Sequence, residues 1–484
     1  MLRSDSNIVR VWSQRLLNLW QQHQVHRWST LTRPRLLTPE QPAFVRDCSI
    51  TMRALPWLRL LDWKALPLPG PQHWYGREPV PMAAYIGAFL VKLDQGLPTI
   101  GHLHRFLLEH PALIWALGFP LVTGGGPYGF DPGASLPTPR YFTEVLRQLP
   151  QPPLQKLLDG QVNRLRRRLP ESFGQTISLD TKHVIAWVKE NNSKQYIKEG
   201  RFDKTQQPAG DPDCKVGCKR RHNRIVIPPT TPTKEGQPGT GLSVSVGEFY
   251  WGYASGIVVT KVEGWGEFVL AELTQTFDNG DPTYFFPLLE QVEQRLGFRP
   301  RYGTADAAFD AFYVYDYFHS PEHDGFAAVP LNAKGGKPTR SFAEDGSPLC
   351  EAELPMSLKF TFTDRTSTLV EHQRAKYACP LLHPEANGKT CPIHHKLWEK
   401  GGCTTHLADS PGARIRHQLD RESDTYRNIY RQRTATERIF AQAVALGIER
   451  PKLRNQQAIT NQNTLTYLLI NLRAMQRVLA LLAK

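Results

Sequence analysis

Residues 175–188 read QTISLDTKHVIAWV, an apolar run rich in Ile and Val with a single acid, Asp180, inside it. β-Branched residues over this length predict a strand. A lone carboxylate in a buried strand costs several kcal/mol unless it is paired or binds a metal, so Asp180 calls for a partner. The plainer reading is an Asp that ends its strand and caps the next turn. Downstream, 241–262 (GLSVSVGEFYWGYASGIVVTKV) reads as two strands and 266–277 (GEFVLAELTQTF) as a third. Residues 282–298 read as a helix opened by Asp281 and Pro282. Then 299–310 (RPRYGTADAAFD) is a short strand ending in Asp306, 311–320 a helix, and 325–334 another strand. Three strands, a helix, a strand, a helix and a strand predict one mixed α/β sheet with flanking helices. Asp306 repeats the pattern of Asp180, and strand ends are where such sheets assemble sites. Asp310 is the alternative to Asp306, although it suits better as the cap of the helix beginning near Ala311.

Around this block the chain of 484 residues has a formal charge of +14, which attracts polyanions, nucleic acid first and an anionic membrane surface second. A basic protein with no nucleic-acid role is the blander reading. No apolar run approaches the roughly 20 residues of a membrane span, so no membrane partner is expected. The N-terminus sets Arg among apolar residues at helical spacing and lacks a secretory apolar core, so a basic amphipathic helix is expected there. Seven cysteines do not read as a secreted disulfide framework, and a cytoplasmic location is expected.

Residues 1–170 are expected to form a helical, Arg-rich DNA-binding region, with Arg3, Arg10, Arg15, Arg27, Arg33, Arg35, Arg46 and Arg53 crowding its start. The run Arg164, Arg166, Arg167, Arg168 is either a solvated helix face or a phosphate-contacting surface. Residues 171–334 hold the first part of the α/β core, interrupted at 190–240 by a polar, basic, loop-like insertion. There Lys219, Arg220 and Arg221 suit contacts to DNA backbone, and Cys214, Cys218 and His222 have a spacing that can chelate zinc. A second insertion spans 335–420, and helices at about 421–446 and 456–483 complete the core.

The third acid lies in 430–440, YRQRTATERIF. On a helix Tyr430, Arg433 and Glu437 share one face. Three carboxylates on two strands and a helix can hold two divalent cations that activate a water or a 3′-hydroxyl against a phosphodiester. Mg²⁺ (or Mn²⁺) suits such an all-oxygen set. The alternative for Glu437 is a surface ion pair with Arg433 or Arg438. SLDTKH, GTADAAFD and YRQRTATERIF, in this order of strands and helix, resemble the DDE transposases of bacterial insertion sequences. The third matches their Tyr-x2-Arg-x3-Glu-x6-Lys signature except at the last position, where Val444 replaces Lys; Arg450 or Lys452 is the candidate substitute. The resemblance covers about 175–475. It implies a ribonuclease-H-like core, a metal triad of Asp180, Asp306 and Glu437, and DNA contacts from Tyr430, Arg433, Arg438 and Lys452. Its implied partners are the element's terminal inverted repeats and target DNA, held by a homodimer in the bacterial cytoplasm at the nucleoid. A ribonuclease-H-like nuclease that cuts without joining needs the same acids, and a catalytically inactive DNA-binding descendant is the third reading.

The second insertion holds Cys379, Cys391, His394, His395, Cys403 and His406. Cys391-x2-His394 and Cys403-x2-His406 have local zinc spacing, and Cys379 is the further thiol of a structural Zn²⁺ site. Reduced, unligated thiols are the alternative.

Overall fold

The computed structural model describes residues 35–37, 40–66, 80–192, 200–227, 242–319, 324–332, 340–365 and 369–483, with the backbone alone for 36, 219–227 and 242–248. The expected DNA-reading residues Arg3, Arg10, Arg15, Arg27 and Arg33 lie outside them.

The architecture is mixed α/β. Its sheet is built on β3, Leu242–Val262, an unbroken strand of 21 residues where the sequence suggested two. The apparent break is made of glycines whose missing side chains are needed for close approach. A Cβ at Gly252 would lie 2.2 Å from the Val184 carbonyl oxygen, and one at Gly256 would lie 2.3 Å from the Tyr284 ring. The first half of β3 pairs antiparallel with β2, Lys215–Ile227. Residues 215–227 are therefore a strand and not the loop expected there: pairing along β3 satisfies a backbone whose polar side chains hid the pattern. The second half pairs antiparallel with β4, Gly266–Thr276, on one edge and with β1, Thr176–Ile185, on the other. Beyond β1 lie β5, Tyr302–Thr304, and β6, Phe326–Ala328, both parallel to it. The order across the sheet is thus β4-β3-β1-β5-β6, with β2 continuing along β3.

In the N-terminal part, α1 (Ser49–Leu58), α2 (Met82–Asp94), α3 (Ile100–Glu109), α4 (Pro111–Leu117), α5 (Pro139–Gln148) and α6 (Gln151–Arg166) precede the sheet. Then come α7 (Phe285–Leu296), α8 (Phe312–Phe318), α9 (Pro411–Gln418), α10 (Asp424–Tyr430), α11 (Thr434–Ala445) and α12 (Gln456–Leu482). The boundary expected near 170 is not a break in packing. Leu58, Phe89 and Phe142 of the N-terminal helices, Val184 and Ile257 of the sheet, and Ile439 and Leu468 of the last helices share one apolar cluster. Each large apolar side chain so buried contributes about 2 kcal/mol.

Helix α12 is long and apolar enough to cross a membrane by composition, but over half of its apolar window is packed inside the molecule. Its buried polar groups are used as joints. The Asn471 side chain accepts from Val269 N at 2.9 Å and donates to Val269 O at 2.8 Å, closing the outer edge of β4 where a bulge interrupts the ladder.

The second insertion folds as a separate antiparallel sheet of β7 (Ser357–Asp364), β8 (His372–Ala378) and β9 (Thr404–Ala408). Helix α9 leads back from it and packs tightly on α8. Gly412 permits this approach, since a Cβ there would lie 2.2 Å from the Phe312 carbonyl oxygen.

Candidate active site

Strand β1 outruns its parallel partner. The last paired residues are Ser178 and Thr304, so Asp180 and Asp306 each stand two residues beyond the same rung of adjacent parallel strands. That is the carboxyl end of the parallel pair, where α/β sheets place sites. Asp180 accepts from its neighbour Thr181 N at 2.8 Å, and Asp306 accepts from Ala308 N at 2.9 Å, capping a single 3₁₀ turn at 307–309.

A third carboxylate joins them that sequence reasoning read only as a helix opener. Asp281 starts the 3₁₀ turn Asp281–Tyr284. Tyr284 lies over Gly256 and donates its hydroxyl to the Ala254 carbonyl at 2.8 Å, anchoring the turn on the sheet. Asp281 then accepts from the Thr181 hydroxyl at 2.7 Å. The only trace in the sequence is the turn signal Asn279-Gly280-Asp281-Pro282 after β4.

Burial pushes Asp180 up to about 6; its bond from Thr181 N and the charge of Arg433 oppose the rise, while Asp306 and Asp281 add to it. Asp281 is raised as well, by burial and by Asp306. These are crowded acids that disfavour one another's charge, the electrostatic state that a cation relieves.

Glu437 reaches this end of the sheet through a break in the helix. Tyr430, Arg433 and Glu437 do not share one unbroken helix, as expected from their spacing: α10 ends at Tyr430, 431–433 form a 3₁₀ turn, and α11 starts at Thr434. The turn is held on β1 because the Ser178 hydroxyl donates to the Gln432 carbonyl at 3.0 Å. Arg433 is thereby placed between two acids, 2.8 Å from Glu437 Oε1 and 3.6 Å from Asp180 Oδ2. The Thr436 hydroxyl is 3.4 Å from Asp180 Oδ2. Burial opposes the Arg433 charge, but Asp180, Tyr430 and Glu437 outweigh it and raise its pKa. The Glu437 side chain remains half-exposed. Tyr430 stacks on Tyr426, which stacks on Phe326 at the end of the sheet.

Neither a protein-family model nor a curated protein matches this chain.

The donor set at this end of the sheet is chemically that of a hard divalent cation: carboxylate oxygens with no thiol or imidazole among them. Among the described residues, however, no three His, Cys, Asp or Glu side chains stand close enough together to hold a metal ion. Glu437 points to Arg433, so the guanidinium supplies the positive charge between Glu437 and Asp180.

The remaining candidates are scattered. Arg438 donates to Glu267 Oε1 at 2.7 Å and so is tied to the start of β4. Lys452 stands on a groove of about 310 Å³ with Arg147, Trp187 and Arg454, whose guanidinium lies 5.0 Å from the Trp187 ring centre. Val444 is on the surface. Lys219, Arg220 and Arg221 lie on β2, and their side chains are outside the described residues. Asp310 does not cap α8, as expected, but sits in an ion pair with Arg416.

Cys379 and Cys391 share a small apolar cluster with Cys403 packed against it. A Cβ at Gly402 would lie 2.7 Å from Cys379 Cβ, so the glycine admits that side chain. Burial pushes the Cys403 thiol up to about 12, with Cys379 and then Cys350 adding to the rise. Cys350 is thus a fourth cysteine of this neighbourhood that the spacing did not point to. His394 is exposed, and His406 stands on β9 beside Arg340, Arg374 and Lys376, which with burial lower its pKa. Cys214 is buried, its thiol donates to the Asp211 carbonyl, and burial pushes it up to about 12, which suits an inert thiol better than a zinc ligand.

Proposed function

We propose that this chain is a DDE-type transposase with a ribonuclease-H-like catalytic core. The observation that supports it best is the matched position of Asp180 and Asp306, each two residues past the last rung that pairs parallel β1 with β5, with the Arg433–Glu437 segment docked on β1 beside them. The sheet order β4-β3-β1-β5-β6, with β3 antiparallel to both neighbours, supports the ribonuclease-H-like reading.

In this reading Asp180, Asp306 and Glu437 would hold Mg²⁺ or Mn²⁺ once Glu437 leaves Arg433 to join the two aspartates. Such ions, when bound, activate water or a 3′-hydroxyl and stabilise the leaving oxygen of a phosphodiester. Arg433 holds Glu437 near Asp180, and a cation taken up by the acids would free its guanidinium to pair with DNA phosphate as a bidentate donor. Tyr430, on its aromatic stack, stands beside the scissile strand. The 3₁₀ turn at 431–433 joins α10 to α11, whose Thr436 hydroxyl lies 3.4 Å from Asp180 Oδ2. The basic surface supplies sequence-independent attraction for DNA. Two ends held by a homodimer at the bacterial nucleoid complete the proposal.

The decisive test is strand transfer. Labelled DNA ending in the inverted repeats that flank the gene is incubated with the full chain, Mg²⁺ and a target plasmid. Joined products are expected, and they disappear with a chelator. Cleavage without joining would favour the ribonuclease-H-like nuclease. If neither occurs with the element's own ends, the transposase reading fails.

A further inference from the structure

Between the second sheet and the α8–α9 pair lies a pocket of about 240 Å³ that the catalytic reading does not use. Three guanidiniums line it: Arg340, Arg374 of β8 and Arg416 of α9. Two are matched by carboxylates. Arg416 donates to both oxygens of Asp310, and Arg374 lies 2.8 Å from Asp364. Arg340 has a different environment. Its Nη1 donates to the Thr405 hydroxyl and to the His406 carbonyl at 3.1 Å, both neutral, and no carboxylate pairs with it among the described residues. Arg340 is exposed to solvent, and partial burial with the like charges of Arg416 and Arg374 lowers its pKa.

The pocket's imidazoles agree with an excess of donors. Arg416 Nη1 lies 3.2 Å from His417 Nε2, and a guanidinium can only donate, so Nε2 accepts and the His417 proton sits on Nδ1. That Nδ1 is buried with no partner among the described residues. Burial, Arg416 and Arg340 push His417 down to about 4, so it is neutral at physiological pH. An unmatched buried donor such as His417 Nδ1 costs free energy that an acceptor-rich anion would recover, and the exposed Arg340 adds positive charge to the same lining. The volume is ample for a tetrahedral oxyanion, and planar guanidinium forks match phosphate oxygens in pairs.

We propose that this pocket binds a phosphate oxyanion, with Arg340 as its principal charge and Arg374 and Arg416 as flanking donors. If the transposase reading above holds, the phosphate is one of the DNA backbone, gripped by the insertion some distance along the duplex from the acids. Asp310 links the two places, since it pairs Arg416 only four residues after Asp306.

The test uses the full chain, Arg340→Gln, Arg340→Lys, and Arg365→Gln as a control of equal charge change in the same insertion, just past the end of β7. Arg340 has no carboxylate partner, so its replacement leaves no buried charge behind. Thermal stability is measured with inorganic phosphate against chloride at constant ionic strength, and duplex DNA binding is measured across salt concentrations. Expected for Arg340→Gln is loss of the phosphate-induced rise in Tm. Expected for DNA is weaker binding and a slope of log affinity on log salt reduced by about one. Arg340→Lys should retain part of both, and Arg365→Gln all of both. Loss of the phosphate effect with an unchanged DNA slope would support the pocket but assign it to free phosphate. Wild-type protein that gains stability from phosphate yet binds no duplex would overturn the transposase reading and leave the pocket standing. If Arg340→Gln matches the wild type in both measurements, the pocket is overturned.

Discussion

Asp180 and Asp310 are both buried carboxylates of this chain, and their environments push them in opposite directions. The side chain of Asp310 is fully buried and that of Asp180 is 17% exposed, yet it is Asp180 whose pKa is raised and Asp310 whose pKa is lowered. Partners make the difference, not depth. Asp310 receives Arg416 on both oxygens, the Tyr315 hydroxyl at 2.9 Å and Asn332 N at 2.7 Å. These outweigh its desolvation. Asp180 has one firm hydrogen bond, an arginine at 3.6 Å and two acids nearby. A satisfied carboxylate welds the insertion to the core, while an unsatisfied one keeps a raised pKa.

The comparison can be broken most visibly by activity. With Mg²⁺, Asp180→Asn and Glu437→Gln should each lower cleavage of element-end DNA by on the order of 10²–10³-fold. Full cleavage by both variants would mean the metal triad is misassigned. Asp310→Asn should instead act on the fold, leaving Arg416 buried without its counter-charge and lowering unfolding free energy by about 3 kcal/mol in urea titration. An unchanged midpoint would show that the weld is unimportant.

The same substitution chemistry at Asp180 should go the other way. Because the folded-state pKa lies above the unfolded value, ionised Asp180 destabilises the fold once pH exceeds about 6. In a chelator at pH 8, Asp180→Asn should therefore be more stable than the wild type by on the order of 2 kcal/mol. The gain should shrink as pH falls through 6 and vanish below about 4, where the carboxyl is protonated in both states. A loss of stability at pH 8 would contradict the crowded-acid description. The smallest effect is expected from Thr181→Val, which removes the hydroxyl bonded to Asp281 and should cost about 1 kcal/mol. No change there would mean that Asp281 is held by the Tyr284 anchor alone.

Much of the core was legible along the chain. The positions of β1, β4, β5, α7, α8 and β6 follow from apolar runs and turn residues, and Asp180 within β1 and Asp306 just past β5 could be singled out before any contact was known. What misled was local reading of features whose meaning is non-local. Gly252 and Gly256 look like strand breakers, but they admit the Val184 carbonyl and the Tyr284 ring. The segment 215–227 looks like a basic loop, but β3 supplies its ladder. No Pro or Gly marks the break at 431–433; the Ser178–Gln432 bond across 254 residues accompanies it. Asp310 looks like a helix cap until Arg416, 106 residues away, claims it.

By itself, then, the sequence determined which segments become strands and helices at this end of the sheet and which acids lie within or just past those strands, because periodicity and β-branched content act over neighbouring residues. Only the tertiary structure decided that Asp281 joins Asp180, that Arg433 stands between Asp180 and Glu437, and that Arg340, Arg374 and Arg416 surround one pocket. Charges separated by tens to hundreds of residues meet only after the backbone ladders are built, and no local pattern encodes the distance between them.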